Sequence, residues 1–215
     1  MIHEVLVVGA LQCNCSILGD EETREAIVID PGDEVDRILA ILKKHDLKAK
    51  YILNTHAHFD HVGNCRELKE VTGAEIWLHK ADLPIYESVP RQAALFAMYG
   101  VKPIRMTAVD QFIRDADGAQ VGKIAARVIH TPGHTPGSLS FHVPGNAREV
   151  LFAGDTLFNG SIGRTDLPGG DFRQILKSIK DRLFTFDDDT EVWPGHGPKT
   201  TIGCERRTNP FLQDL

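Results

Sequence analysis

The sequence predicts a mixed α and β fold, on three observations. Short β-branched runs end at Gly, Asn or acidic residues, longer stretches repeat their apolar residues at helical spacing, and the two patterns alternate along the chain. Length and composition suit this class: 215 residues, 42% apolar and 25% charged, are enough for one globular domain over residues 1–215 that builds its core without disulfide staples.

The elements follow in order. HEVLVV, SILG and EAIVID read as a strand meander, after which Pro31 and Gly32 turn the chain. Over residues 33–45 the apolar Val35, Ile38, Leu39 and Leu42 fall at i, i+3, i+4 and i+7, which predicts an amphipathic helix with Asp33 as its N-cap. KYILNT is a buried strand, THAHFDHVGN leads into a second helix over residues 62–71, and residues 76–78 form another strand. Residues 81–100 favour helix, but Pro84 and Pro90 interrupt it, so two helices or a helix and a loop are expected to cover one face. Residues 121–130, 138–143 and 149–153 read as strands, the last two joined through PGNA as a hairpin turn. Residues 171–183 make a third helix, while FNGSIGRTDLPGGD and WPGHGPKTTIG are loops rich in Gly and Pro.

Charge and cysteine usage narrow the function. Lys plus Arg number 24 against 30 Asp plus Glu, a net charge of −6 with no long basic run, which disfavours nucleic-acid binding because that affinity comes from clustered cations. The N-terminus has no positively charged region before its apolar stretch, and no run of 18 apolar residues occurs, so neither a signal peptide nor a membrane span is expected. Cys13, Cys15, Cys65 and Cys204 form no CxxC pair and fit reduced, buried thiols in a cytoplasmic protein.

The chemistry concentrates in THAHFDH, where His56, His58, Asp60 and His61 lie within six residues directly after an apolar strand. Chance at this composition produces such a cluster on the order of once in 10³ chains. Imidazole and carboxylate suit zinc, iron or manganese, and in an extended segment the period of two throws His56, His58 and Asp60 to one side. His61 then points elsewhere, towards a second metal or as a support for the first. Three more candidates stand where strands should end beside glycine: His134 in GHTPGS, Asp155 in GDTLF and His196 in PGHG. His130 competes with His134, and the preceding Gly133 favours His134. Seven donors exceed what one tetrahedral zinc takes and suit two divalent metals, zinc foremost, bridged by a carboxylate and a hydroxide. His3, His45, His79 and His142 read as solvated or singly hydrogen-bonded, and Cys65 as core.

THAHFDH, GHTPGS, GDTLF and PGHG, in that order and spacing, resemble the motifs of the metallo-β-lactamase superfamily across nearly the whole chain. Within it, GSIGRTDLPGGD and ERRTNPFLQDL make the sequence similar to glyoxalase II (hydroxyacylglutathione hydrolase), in its short form without the C-terminal helical domain. The resemblance implies an αββα sandwich of two mixed sheets flanked by helices. It implies that His56, His58 and His134 hold one metal, that Asp60, His61 and His196 hold the other, and that Asp155 bridges them. The implied reaction is hydrolysis of a small-molecule thioester, S-D-lactoylglutathione to D-lactate and glutathione, by a hydroxide between the metals, with Asp60 also orienting it or taking its proton. Arg164 stands where the family carries a glutathione-contacting lysine and is the implied carboxylate clamp. Asp166, however, replaces the family's substrate-binding tyrosine, and Arg206 and Arg207 are the cations available to compensate for the missing domain. The rival activities on this scaffold are persulfide oxidation at a single iron held by His56, His134 and Asp155, and lactone or ester hydrolysis. β-Lactam hydrolysis is disfavoured by the lack of an export signal. A purely structural metal site is disfavoured because such sites are closed and cysteine-rich.

Overall fold

The computed structural model describes residues 1–145 and 148–213. In the first sheet, strands β1 (Ile2–Val8), β2 (Cys13–Gly19) and β3 (Glu25–Ile29) form the expected antiparallel meander. Helix α1 (Val35–Lys44) then carries the chain to β4 (Lys48–Leu53), which pairs parallel to β3. Helices α2 (Phe59–Val62) and α3 (Cys65–Thr72) lead to β5 (Glu75–His79), and α4 (Leu83–Glu87) and α5 (Val89–Leu95) lead to β6 (Gln111–Ile113), both strands again parallel. Parallel neighbours cannot be joined by a tight turn, so each of these steps needs a crossover, and the helices supply it.

The second sheet starts with the hairpin β7 (Gly118–Val121) and β8 (Ile124–His130), followed by β9 (Leu139–Val143) and β10 (Val150–Gly154), all antiparallel in sequence. A small hairpin, β11 (Leu157–Phe158) and β12 (Ser161–Ile162), and helix α6 (Phe172–Ser178) intervene. Strand β13 (Glu191–Pro194) then pairs parallel to β10, with β14 (Thr200–Thr201) at the edge and helix α7 (Ile202–Thr208) after it. The strand order is β14-β13-β10-β9-β8-β7, a second mixed sheet of six.

Alternation along these strands explains the layering. Leu18, Ile27, Ile29 and Leu53 of the first sheet meet Val128, Leu139, Phe141 and Phe152 of the second in one buried cluster. Their neighbours Ile17, Ala26, Val28 and Ile52 point the other way, onto Ile38, Leu42 and Leu68 of α1 and α3. Ile129, Leu151 and Val192 likewise turn from the central layer onto Ile175, Ile179 and Ile202. Each sheet is therefore apolar on both faces and must be covered twice, which makes the αββα sandwich.

Several boundaries differ from the sequence reading. The residue before α1 is Glu34, at φ 55°, so Asp33 is not the cap; its carboxylate accepts from the Glu34 N–H at 2.7 Å. The first N–H of α1, on Val35, instead donates to Asn64 Oδ1 at 3.2 Å, a partner the sequence pattern could not name. The helix expected over 62–71 is broken at Gly63 and Asn64, where the chain passes against the Gly32 carbonyl with no room for a side chain. The strand expected over 121–130 is the β7–β8 hairpin, turning at Gly122 with φ +49° while Asp20 accepts from the Lys123 N–H at 3.0 Å. The helix expected over 171–183 starts on an Asp171 cap, which accepts from Gln174 N at 2.9 Å, and changes after Ser178 to a wider turn over Ile179–Leu183. Pro84 and Pro90 each sit in the first turn of a helix, so two helices cover that face. In PGNA, Asn146 and Ala147 lie outside the described residues. Strand β6, three residues long, and α7 had no signal strong enough to name them.

Candidate metal centre

Strands β3 and β4 run parallel, and β8, β10 and β13 share one direction because β9 lies antiparallel between β8 and β10. Their carboxyl ends form one edge of the sandwich, the place where open α and β sheets present ligands on short loops. Asp30 follows β3, His56 to His61 follow β4, His134 lies in the turn after β8, Asp155 follows β10 and His196 follows β13. Backbone bonds close the two sheets here, Leu139 N to Thr55 O at 2.7 Å and Asn14 N to Gly195 O at 2.7 Å, while Gly195 N to Gly154 O at 2.8 Å continues the β10–β13 pairing.

The seven side chains singled out in the sequence converge at this edge. His134 Nε2 lies 2.9 Å from His58 Nδ1, and His56, His58 and His134 each offer a ring nitrogen within 4.8 Å of the others. Asp60, His61 and His196 form a second such group, with His61 Nε2 3.2 Å from His196 Nε2 and His196 Nε2 3.2 Å from Asp60 Oδ2. Asp155 faces both: its Oδ1 is 3.5 Å from His61 Nε2 and its Oδ2 is 3.5 Å from His134 Nε2. The period-of-two grouping of Asp60 with His56 and His58 does not hold. Helix α2 starts at Phe59, so Asp60 turns with the helix and joins His61 and His196 instead.

The opposite ring nitrogens show how these imidazoles are aimed. His61 Nδ1 donates to Asp30 Oδ2 at 3.0 Å, His134 Nδ1 to the Arg164 carbonyl at 2.8 Å, and His196 Nδ1 to the Gln12 carbonyl at 3.2 Å. The Thr55 hydroxyl donates to Asp30 Oδ2 at 2.6 Å and so accepts from His56 Nδ1 at 3.1 Å. Each of these four rings thus turns its Nε2 into the centre, whereas His58 presents Nδ1. Such anchoring by carboxylate or carbonyl is what orients metal-binding histidines. Asp30 was not named from the sequence; a lone carboxylate after EAIVI has no cluster to mark it. It is 1% exposed, sits at φ 53°, and also accepts from Thr55 N at 2.7 Å.

A cation fits this donor set. His56 Nε2 and Asp155 Oδ1 are buried without a hydrogen-bond partner, which is costly unless something else satisfies them. Nitrogen and carboxylate oxygen are the donors of zinc, iron and manganese sites. A side chain at Gly195 would overlap Asp155 and His61, so glycine keeps the space open.

Protonation in the metal-free centre divides along the same lines. Burial, with the neighbouring imidazoles, holds His56 well below the ordinary histidine range and pushes His58 down to about 4. Burial opposes charge on His61 and His196 too, but Cys13 with the Asp155 and Asp60 carboxylates raises His61, and Asp60 and Asp155 raise His196. Asp60 shows the converse: burial works against its ionised form, and His61 and His196 hold its carboxyl below the usual range.

The remaining candidates lie outside this cluster. His130 stacks on His79, ring centres 4.3 Å apart, and its Nε2 donates to the Pro136 carbonyl at 3.0 Å. The exposed Arg164 guanidinium is held by Asp166 through two 2.8 Å bonds. Arg206 and Arg207 both pair with Asp188. Cys65 is buried and donates to Asn54 Oδ1 at 3.1 Å, and His45 pairs with Glu4 at 2.6 Å. Beside Asp60 a cavity of about 280 Å³ opens between Leu11, Phe59, Val101 and Ile104, with Asp36 and Glu67 also on its wall. No helix among the described residues is long and apolar enough to cross a membrane.

Comparison with known proteins places this geometry. The hydroxyacylglutathione hydrolase GloC of Haemophilus influenzae is 40% identical over 216 residues, 97% of each chain. Among solved structures, the BLEG-1 B3 metallo-beta-lactamase superposes with a TM-score of 0.88 at 36% identity, covering 99% of this chain and 100% of that one. TTHA1623 in a di-iron-bound form superposes at 0.85 with 39% identity, covering 97% and 100%. Residues 8–196 match the family described as the metallo-beta-lactamase superfamily, and with the sandwich and the seven convergent donors in place, the chain belongs to that superfamily.

Proposed function

We propose that the protein is a metal-dependent hydrolase of thioesters, with S-D-lactoylglutathione as substrate and D-lactate and glutathione as products. The observation that carries this reading is a complete set of seven donors on a chain 40% identical to a hydroxyacylglutathione hydrolase over almost its full length. In it, His56, His58 and His134 would hold one divalent cation, Asp60, His61 and His196 would hold a second, and Asp155 faces both groups and would serve either. Two such cations, zinc foremost, supply Lewis acidity and a water ionised near neutral pH.

The chain's own groups do the rest. Asp60, ionised and buried beside His196, is placed to orient the attacking water or accept its proton. Asp30, Thr55 and the Arg164 and Gln12 carbonyls fix the imidazole orientations before substrate arrives. The thiol leaves with little help from an acid because thiols are already acidic.

The test is hydrolysis of S-D-lactoylglutathione by protein whose metal has been counted, with and without chelator. Close to two metals per chain and turnover lost on chelation are expected. One tightly held iron with oxygen consumption on glutathione persulfide would replace this reading with persulfide oxidation. The likeness to BLEG-1 favours β-lactams as a second substrate class, and faster turnover of a chromogenic cephalosporin than of any thioester would decide for it.

Two further outcomes follow. Arg164→Ala is expected to raise KM for glutathione thioesters about tenfold with kcat unchanged, the loss of one charge-assisted contact. An unchanged KM would assign Arg164 to its Asp166 pair alone. The carboxylates beside His61 and His196 favour their protonated forms in the metal-free centre, so metal uptake competes with protons there, and affinity is expected to rise with pH. Calorimetry at pH 7 in buffers of different ionisation enthalpy should register net proton release on metal binding; none released would contradict it.

A further inference from the structure

Asp82 lies in the 3-10 turn Lys80–Asp82 after β5, is 0% exposed and has no place among the seven donors. Its carboxylate joins two separate loops. Oδ2 accepts from Ala57 N at 3.0 Å and from the Thr135 hydroxyl at 2.8 Å, and Oδ1 accepts from Gly137 N at 2.6 Å. Ala57 lies between His56 and His58, and Thr135 follows His134. All three bonds therefore end on the segments that carry the three-histidine group: Ala57 precedes α2, in which Asp60 and His61 follow, and none ends on the loop of His196. A side chain at Gly137 would overlap the Asp82 carboxylate, so the loop is shaped to receive it. A second strut ties the Asp82 turn to the His134 loop. His79 Nδ1 accepts from Ala81 N at 3.3 Å, bracing the turn that presents Asp82, and stacks on His130, which donates to the Pro136 carbonyl.

We propose that Asp82 is a positioning residue that sets the spacing of His56 and His58 against His134, so that one half of the centre depends on it and the other does not. The two loops come from different sheets of the sandwich, and beyond the Leu139 N to Thr55 O bond their backbone donors at Ala57 and Gly137 meet on this carboxylate. An amide cannot replace it: asparagine keeps one acceptor oxygen and turns an N–H₂ against the other donors. The inference rests on the two-cation reading above.

The experiment is titration of metal-free wild type and Asp82→Asn with cobalt(II), read by stoichiometry and visible absorption. Wild type should bind two ions. Asp82→Asn should bind one at concentrations that fill both sites in wild type, its affinity for the other lowered about 10–100-fold, the usual cost of losing a group that orients ligands. Its spectrum should match that of His58→Ala and not that of His196→Ala. Filling of both sites as in wild type, or equal weakening of both in a folded variant, overturns the proposal. If Asp82→Asn does not fold, Thr135→Val removes one of the three bonds and should weaken the same site alone; no selective weakening there has the same meaning. Fewer than two ions on wild type overturns the two-cation reading itself, and the half-specific clamp with it, before any variant is compared.

Discussion

Asp155→Ala is expected to lose thioester hydrolysis by about 10³-fold or more, about 4 kcal/mol of transition-state stabilisation, and to retain less than one metal per chain. The reason is geometric. Asp155 presents one oxygen 3.5 Å from His61 Nε2 and the other 3.5 Å from His134 Nε2, with His196 Nε2 3.7 Å away, so it faces both donor groups at once. Its removal takes a negative charge from a buried site lined by imidazoles, where no water replaces it cheaply. Fold should be intact by circular dichroism, because Asp155 lies at the rim of the sandwich and not in its apolar layers. Metal counting and turnover on the same sample check the claim; two metals with activity within tenfold of wild type would refute the bridging role.

The second large effect is expected at Asp30, through stability as well as metal. Asp30→Ala leaves the Thr55 N–H, the Thr55 hydroxyl and the His61 Nδ1–H without an acceptor in a site 1% exposed. Breaking such a buried set costs about 3–5 kcal/mol of unfolding free energy. It also frees the His61 ring, so metal affinity in the Asp60, His61 and His196 group should fall about 10–100-fold. Backbone strain has to be separated from this, because Asp30 sits at φ 53°, which alanine tolerates poorly. Asn adopts that conformation readily, so Asp30→Asn isolates the loss of the second acceptor oxygen and should fall between wild type and Asp30→Ala. Denaturant unfolding and metal titration measure the two parts. Equal stability of all three proteins would show that Asp30 carries neither.

Asp30 and Asp82 share a property that explains why both escaped the sequence. Each is a carboxylate after a strand, outside any cluster as dense as THAHFDH, and each acts on residues 25 to 55 positions away. The donors of the centre were visible for the opposite reason. Four of them crowd into THAHFDH, and His134, Asp155 and His196 each stand beside glycine where an apolar run ends.

Sequence by itself determined the mixed α and β class, the order of most strands and helices, and the polar residues placed where strands end; the four layers were implied by the family resemblance. The first three depend on local periodicity and on turn chemistry, which act over a few residues. Tertiary structure decided how the donors are partitioned. Asp60 belongs with His196, 136 positions on, because α2 begins one residue before it and because β4 and β13 end at the same edge of facing sheets. The meeting of two ligand loops on Asp82 was decided there too. Contacts between segments far apart in sequence follow from sheet order and packing, and no local pattern encodes them.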